Sequence, residues 1–346
     1  GSPAMSAATS LVATLEALVA RSNLSLKEAE DAMELIISGA EPCQAAALLV
    51  LLRSKGETAE EIAGFTKAMR HHMVPVNAKA SCLDIVGTGG DGHHTVNIST
   101  AASVVVASCG AVVAKHGNRS VSSKCGSADV LEELGVKLIL PPSGVEKCLE
   151  EAGIAFMFAP AFHPAMKNIV PVRKALGVRT VFNILGPLLN PAACTRMLIG
   201  VYSEALVPLM ADALHALGVE FAMVVHCGGL DELAPIAVAT VAYVRPSGVE
   251  LSQLNPFEMG FARCTIADLK GGDKTENGKI LMEILSGTRS GPVTETVILN
   301  AGAGLFVSGK ASTVQEGCKM ARDALLAGTP AKTFEKWART SQIPNE

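Results

Sequence analysis

The chain has 346 residues, enough for two domains of ordinary size and a substantial core. Its 29 basic and 33 acidic residues give a net charge of −4, which excludes a general attraction to nucleic acid or an anionic membrane, so any phosphate binding has to be local. Hydrophobic residues are 49% and aromatics only 4%, a balance that suits parallel strands covered by helices, and apolar runs such as Ala45–Leu52 and Ala101–Ala107 are too short to span a bilayer.

Gly1–Ala4 reads as a cloning remnant ahead of Met5. No charged-then-apolar leader follows it, so the expected location is the cytoplasm, or a plastid if a transit peptide has been removed. The first 75 residues carry helix signals and no convincing strand. Ser25-Leu-Lys-Glu28 and Thr58-Ala-Glu-Glu61 are capping boxes, and Pro42 suits a first helical position before Ala45–Leu52. His71-His-Met-Val-Pro75 breaks the pattern, and from Cys82 the chain alternates strand and helix. Cys82–Val86 and Ala111–Ala114 read as buried strands, Ile98 onward as a small-residue helix, and Ala128–Leu134 as a helix capped by Ser127. Seven prolines between Pro141 and Pro191 interrupt helical pieces such as Ala165–Leu176. Beyond them lies a β-α-β unit: strand Met197–Tyr202, helix Ala205–Leu217 closed by Gly218, and strand Phe221–His226. Val238–Val244 is a further strand, and Thr313-Val-Gln-Glu316 opens a helix ending near Gly328. These signals divide the chain into a helical domain over 1–76, onto which helices around 161–180 pack back, and an α/β domain over 77–346 with a mostly parallel central sheet.

Three loops follow predicted strands, and in open parallel sheets ligands sit beyond the carboxyl ends of the strands. The first, Asp84-Ile-Val-Gly-Thr-Gly-Gly-Asp-Gly-His-His-Thr-Val-Asn-Ile-Ser-Thr100, places four glycines at a strand-to-helix junction, where backbone N–H groups point at an anion. Asn97, Ser99 and Thr100 add side-chain donors. Gly87, Gly89 and Gly92 match Gly-x-Gly-x-x-Gly, but a dinucleotide site wants an acid about 20 residues on. Lys115 stands there instead, which favours phosphate over a ribose hydroxyl. The second loop, Lys115–Ser127, has two lysines, an arginine, four serines and two glycines, and its bland alternative is a solvated surface loop. The third, Cys227-Gly-Gly-Leu-Asp-Glu232, ends in adjacent acids. Mg²⁺ is commonly held by one or two carboxylates plus substrate phosphates, which Asp231 and Glu232 would complement. The histidines, His226 among them, lack zinc-binding spacing, and the nine cysteines lack Cys-x-x-Cys spacing, so neither zinc nor a disulfide framework is indicated.

Asp84–Thr100, Lys115–Gly135, Phe158–Pro191 and Gly229–Glu232, with Gly271-Gly-Asp273 and Asn300-Ala-Gly302, closely resemble the anthranilate phosphoribosyltransferases over nearly the whole chain. The resemblance implies the nucleoside phosphorylase/phosphoribosyltransferase-like fold, in which a small helical domain and a large α/β domain enclose the active site, and a homodimer. It also implies transfer of the phosphoribosyl group from phosphoribosyl pyrophosphate (PRPP) to anthranilate in tryptophan biosynthesis. By the same resemblance PRPP is bound by Gly87, Gly90, Asp91, Thr95, Asn97, Ile98, Ser99 and Thr100, then by Lys115, His116, Gly117, Asn118, Arg119, Ser120, Val121, Ser122, Ser123 and Ser127. Anthranilate is held by Gly87, Asn118 and Arg173, and Mg²⁺ by Ser99, Asp231 and Glu232. Cys125, where serine is usual, would make activity sensitive to thiol reagents. No nucleophilic residue is required, and no nucleic-acid or membrane partner is expected. The alternatives are a pyrimidine-nucleoside phosphorylase of the same fold and a non-catalytic relative that binds nucleic acid; the net charge of −4 speaks against the latter.

Overall fold

The computed structural model describes residues 10–120 and 124–342. The chain folds into two compact units, one running to Val74 and taking up His163–Leu189, the other formed by Pro75–Phe162 and the chain from Asn190 onward.

The first unit is helical: Val12–Val19, Leu26–Ile37, Pro42–Lys55, Ala59–His71, Met166–Leu176 and Phe182–Leu185. Both capping boxes form, Ser25 with Glu28 and Thr58 with Glu61, and Pro42 opens its helix. Glu61 does more than cap. It is fully buried, accepts the Leu24 N–H at 2.9 Å and pairs with Lys55 Nζ at 3.0 Å, fixing the turn before the second helix. The later helices join through backbone acceptors: Asn168 Nδ2 donates to Ile37 O at 2.9 Å and Arg70 Nε to Leu188 O at 2.8 Å.

The second unit holds one seven-stranded sheet made of β1 (Leu83–Gly87), β2 (Val113–Gly117), β3 (Ile154–Phe158), β4 (Arg196–Gly200), β5 (Phe221–His226), β6 (Ala239–Arg245) and β7 (Gly248–Leu254). Their order is β3-β2-β1-β4-β5-β6-β7, parallel through β5 and antiparallel at β6 and β7. The strand order reverses between β1 and β4, whose Gly87 and Gly200 pair at the carboxyl edge. Helix Pro292–Val307 packs closely enough on β1 that a Cβ at Gly304 would stand 2.8 Å from Ile85 Cδ1. No helix among the described residues is long and apolar enough to cross a membrane.

Candidate active site

The loops after β1 and β5 meet at the point where the strand order reverses, the place at which open α/β sheets bind ligands. The third loop owes its shape to His226. Its Nδ1 donates to Val201 O at 2.8 Å and its Nε2 accepts the Gly229 N–H at 3.2 Å, which turns the chain at Cys227–Leu230. Asn300, on helix Pro292–Val307, clamps the far side, accepting the Leu233 N–H at 3.1 Å and donating to Leu233 O at 2.7 Å. Asp231 then lies directly on the two strand-end glycines. A Cβ at Gly87 would collide with its carboxylate, and one at Gly200 with its carbonyl oxygen.

The first loop turns at Gly89, Gly90 and Gly92, which have φ of 68°, 79° and 78°, a left-handed run that glycine adopts without strain. Its N–H groups face the acids: Gly89 donates to Asp231 Oδ2 at 2.6 Å, and Ser99, in the first turn of helix Ile98–Ser108, donates to Glu232 Oε1 at 3.1 Å. Asp91 lies close enough to Asp231 to raise its pKa, and its Oδ1 accepts the His93 N–H at 3.1 Å. Loop and helix start are pinned from outside by a bridge between Thr95 and Lys270 and by the Val96 N–H on Leu269 O at 3.0 Å.

Beneath this floor Lys115 is buried, its Nζ donating to Ile85 O at 2.6 Å and to Ser99 Oγ at 3.2 Å. Burial lowers its pKa, while Asp84, Glu232 and Asp231 oppose that shift. Burial pushes Asp231 up to about 7, with Asp91 adding repulsion, and Glu232 up to about 8, with Asp231 adding repulsion. Buried Asp231 and part-buried Glu232 beside a third acid call for positive charge. No group of three or more His, Cys, Asp or Glu among the described residues converges to hold a metal unaided. An oxygen-loving cation that takes its remaining ligands from phosphate fits this donor set.

The other expected site residues fall as follows. Ile98 is buried, and Thr100 is buried with its Oγ1 lacking a hydrogen-bond partner among the described residues. Asn97 stands at the cap position but makes no side-chain cap; its Nδ2 donates to Cys125 O at 3.2 Å and its Oδ1 accepts from Asn277 at 3.0 Å, tying the first loop to the second. His116 is buried, with its N–H on Asp84 Oδ1 at 3.3 Å. Gly117 admits no side chain against Phe156 and Ser127. Asn118 Oδ1 accepts the Arg119 N–H at 2.7 Å, and Arg119 pairs with Asp129 and Glu132. Val121, Ser122 and Ser123 lie outside the described residues. Ser127 is not the helix cap that its residue type suggests. Gly126 takes that position and Ser127 Oγ instead donates to Asn118 O at 3.3 Å, because Asp129 reaches back to the Gly126 N–H. Cys125 is buried, and burial pushes its thiol up to about 11, which disfavours the reactive thiolate at neutral pH. In the helical unit, Arg173 is half-buried over the Phe182 ring, 5.3 Å from its centre, with no carboxylate partner among the described residues. Burial lowers its pKa.

Several supports of the site carry no local signal in the sequence. Gly200 looks like an ordinary strand end. Asn190, 106 residues from Asp84, donates to the Asp84 carboxylate at 2.7 Å and to Ala114 O at 2.8 Å, locking β1 to β2 beneath the loops. Asp84 itself is raised to about 6 by burial.

Two family models match, a glycosyl transferase family helical bundle domain at residues 12–73 and a glycosyl transferase family a/b domain at residues 79–331. The chain is 48% identical to the anthranilate phosphoribosyltransferase of Thermomicrobium roseum over 329 residues, 93% of this chain and 94% of that one. It also matches the crystal structure of the Thermus thermophilus enzyme at 42% identity and a TM-score of 0.91, covering 95% of this chain and 99% of that one. The Saccharomyces cerevisiae enzyme in complex with PRPP and Mg is 30% identical, with a TM-score of 0.88 over 97% of this chain and 98% of that one. The same yeast protein is also solved in complex with 4-fluoroanthranilate, at 28% identity and a TM-score of 0.86 over 96% and 97% of the two chains. The glycine floor, the paired acids, both domain matches and these likenesses agree, and the chain belongs to the anthranilate phosphoribosyltransferase family.

Proposed function

We propose that the chain transfers the phosphoribosyl group of PRPP to the amine of anthranilate, releasing pyrophosphate and N-(5-phosphoribosyl)anthranilate for tryptophan biosynthesis. The observation that carries this is the pair of adjacent acids, buried Asp231 and part-buried Glu232, receiving N–H groups from the glycine loop and the helix start. Such a floor suits a diphosphate leaving group and needs no nucleophile. The yeast relative's complexes with PRPP and Mg and with 4-fluoroanthranilate support the same substrates.

Asp231, Glu232 and Ser99 hold Mg²⁺ in this reading, and Gly87, Gly90, Asp91, Thr95, Asn97 and Thr100 surround the diphosphate. When bound, Mg²⁺ supplies positive charge against the negative charge that grows on the departing pyrophosphate. Lys115 Nζ donates to Ser99 Oγ from below and so orients that hydroxyl. Asn118 and Arg173 orient anthranilate, Arg173 by a two-pronged bond to the carboxylate. An aniline-type amine is neutral at pH 7 and attacks the anomeric carbon without prior deprotonation, so positioning supplies much of the catalysis, and the amine's proton leaves once the C–N bond has formed. We also propose a homodimer. Val12, Val19 and Val50 leave exposed apolar surface on the first and third helices, and sedimentation would return twice the chain mass.

Loss of anthranilate fluorescence on adding PRPP and Mg²⁺ tests the activity. Uridine with inorganic phosphate, assayed alongside, is expected to stay intact. Uridine cleavage without anthranilate consumption would replace this reading with a nucleoside phosphorylase.

A further inference from the structure

The second loop is gathered on one carboxylate. Asp129, in the first turn of helix Ser127–Glu133, accepts two backbone N–H groups on its Oδ2, Gly126 at 2.8 Å and Ser120 at 3.3 Å. Its Oδ1 accepts Arg119 Nη1 at 2.9 Å. Arg119 continues to Glu132 with both Nη atoms, at 2.8 and 3.0 Å, and its guanidinium lies 5.6 Å from the centre of the Phe158 ring. Starting a helix requires only the bond to Gly126. The bonds to Ser120 and Arg119 do something else: they join the stem that leaves β2 to the stem that enters the helix. The stems approach so closely that a Cβ at Gly126 would collide with the Ser120 nitrogen. Asn118 O completes the closure, accepting the Ala128 N–H at 3.3 Å.

We propose that Asp129 is a positioning residue for diphosphate binding, holding the Asn118–Ser120 backbone and the Arg119 side chain where the substrate meets them. It touches no substrate and acts by joining the loop's two stems. In this arrangement Arg119 works through its bonds to Asp129 and Glu132. The proposal rests on the reading of this loop as the PRPP site.

The test measures the Kd for pyrophosphate with Mg²⁺ by calorimetry and the KM for each substrate in wild type, Asp129→Ala and Asp129→Asn. Asp129→Ala is expected to raise the pyrophosphate Kd and the PRPP KM at least about tenfold, with the anthranilate KM moving less than about twofold. Asp129→Asn, which keeps one oxygen acceptor and loses the ion pair, is expected to fall between the two, at about threefold. A lowered melting temperature with an unchanged PRPP KM would show a helix cap and nothing more, and so would overturn the proposal, as would equal losses for both substrates. If Asp129→Ala does not fold, wild-type constants in Asp129→Asn overturn it. Wild-type protein that binds pyrophosphate but forms no product would sink the assigned reaction alone, leaving the pyrophosphate constants to decide the role of Asp129. A wild type that binds no pyrophosphate removes both.

Discussion

The junction of the first and third loops and the outer half of the second loop are held in opposite ways. At the junction, Asp231 and Glu232 take backbone N–H groups from Gly89 and Ser99, and Asp231 fills the side-chain space of the strand-end glycines Gly87 and Gly200, so the floor has little room to move. In the second loop, Lys115 is buried at the strand end, but a few residues on the contacts are ion pairs of Arg119 with Asp129 and Glu132 at a partly exposed surface. The difference is one of fastening: the paired acids are set into the strand ends, whereas the stems of the second loop are joined by exchangeable bonds. Exposed pairs of this kind are individually weak and are screened by salt.

Disabling the rigid side should strike turnover hardest. Asp231→Asn combined with Glu232→Gln should lower kcat by on the order of 10²–10³-fold or more while the protein still melts cooperatively. Wild-type rates at limiting Mg²⁺ would remove the metal assignment. Arg173 and Arg119 carry the contrast further, since one guanidinium lacks a carboxylate partner among the described residues and the other has two. Arg173→Ala should cut anthranilate kcat/KM by roughly ten- to a hundredfold, as loss of a charge-assisted contact of about 1.5–3 kcal/mol requires. Steady-state kinetics in each substrate decide this, and an equal loss for both would point to misfolding. Gly200→Ala tests whether the floor yields. Its Cβ would meet the Asp231 backbone, and overpacking of this kind costs about 1–3 kcal/mol, read as a lower denaturant midpoint.

A smaller effect follows from pH. Asp231 and Glu232 titrate near 7 and 8 when folded, above their ordinary values of 3.8 and 4.5. The folded chain therefore binds more protons than the unfolded one, and stability declines as pH rises through that range. Asp84, near 6, shifts in the same sense, whereas His163, lowered by burial to about 4, and Lys115, also lowered by burial, shift in the opposite one, so the share of the two acids is read as the difference between wild type and the double amide variant above about pH 6.5. The melting temperature in a chelator should fall between about pH 6.5 and 8.5, and the double amide variant should flatten that slope. A melting temperature that rises across the window would contradict the buried-acid account.

Much of this was legible where a signal is local. The two capping boxes, Pro42, the strand before Gly87 and the mostly parallel sheet follow from periodicity and turn chemistry. β7 was not, because only Leu254 of its residues is buried and an exposed edge strand carries no apolar alternation. Gly200, Asn190 and His226 were illegible for another reason. Each acts on a partner brought close by strand pairing or by a turn, and the chain around them reads as ordinary strand or loop. Ser127 misled because serine is a good cap in isolation, while the neighbouring Gly126 is the residue that the close approach of Ser120 demands.

The order of the chain constrains how it can be made. β1 pairs with β4, register Leu83 to Arg196, and the helical unit is completed only by His163–Leu189. During synthesis from the N-terminus, the first four helices and β1 emerge well before the segments that finish either unit. Neither can close until about two hundred residues have left the ribosome, and contacts of such long sequence separation slow folding. The nascent chain therefore carries the unpaired edge of β1 and an incomplete helical core through the same interval, the stage at which a chaperone would matter most to its yield.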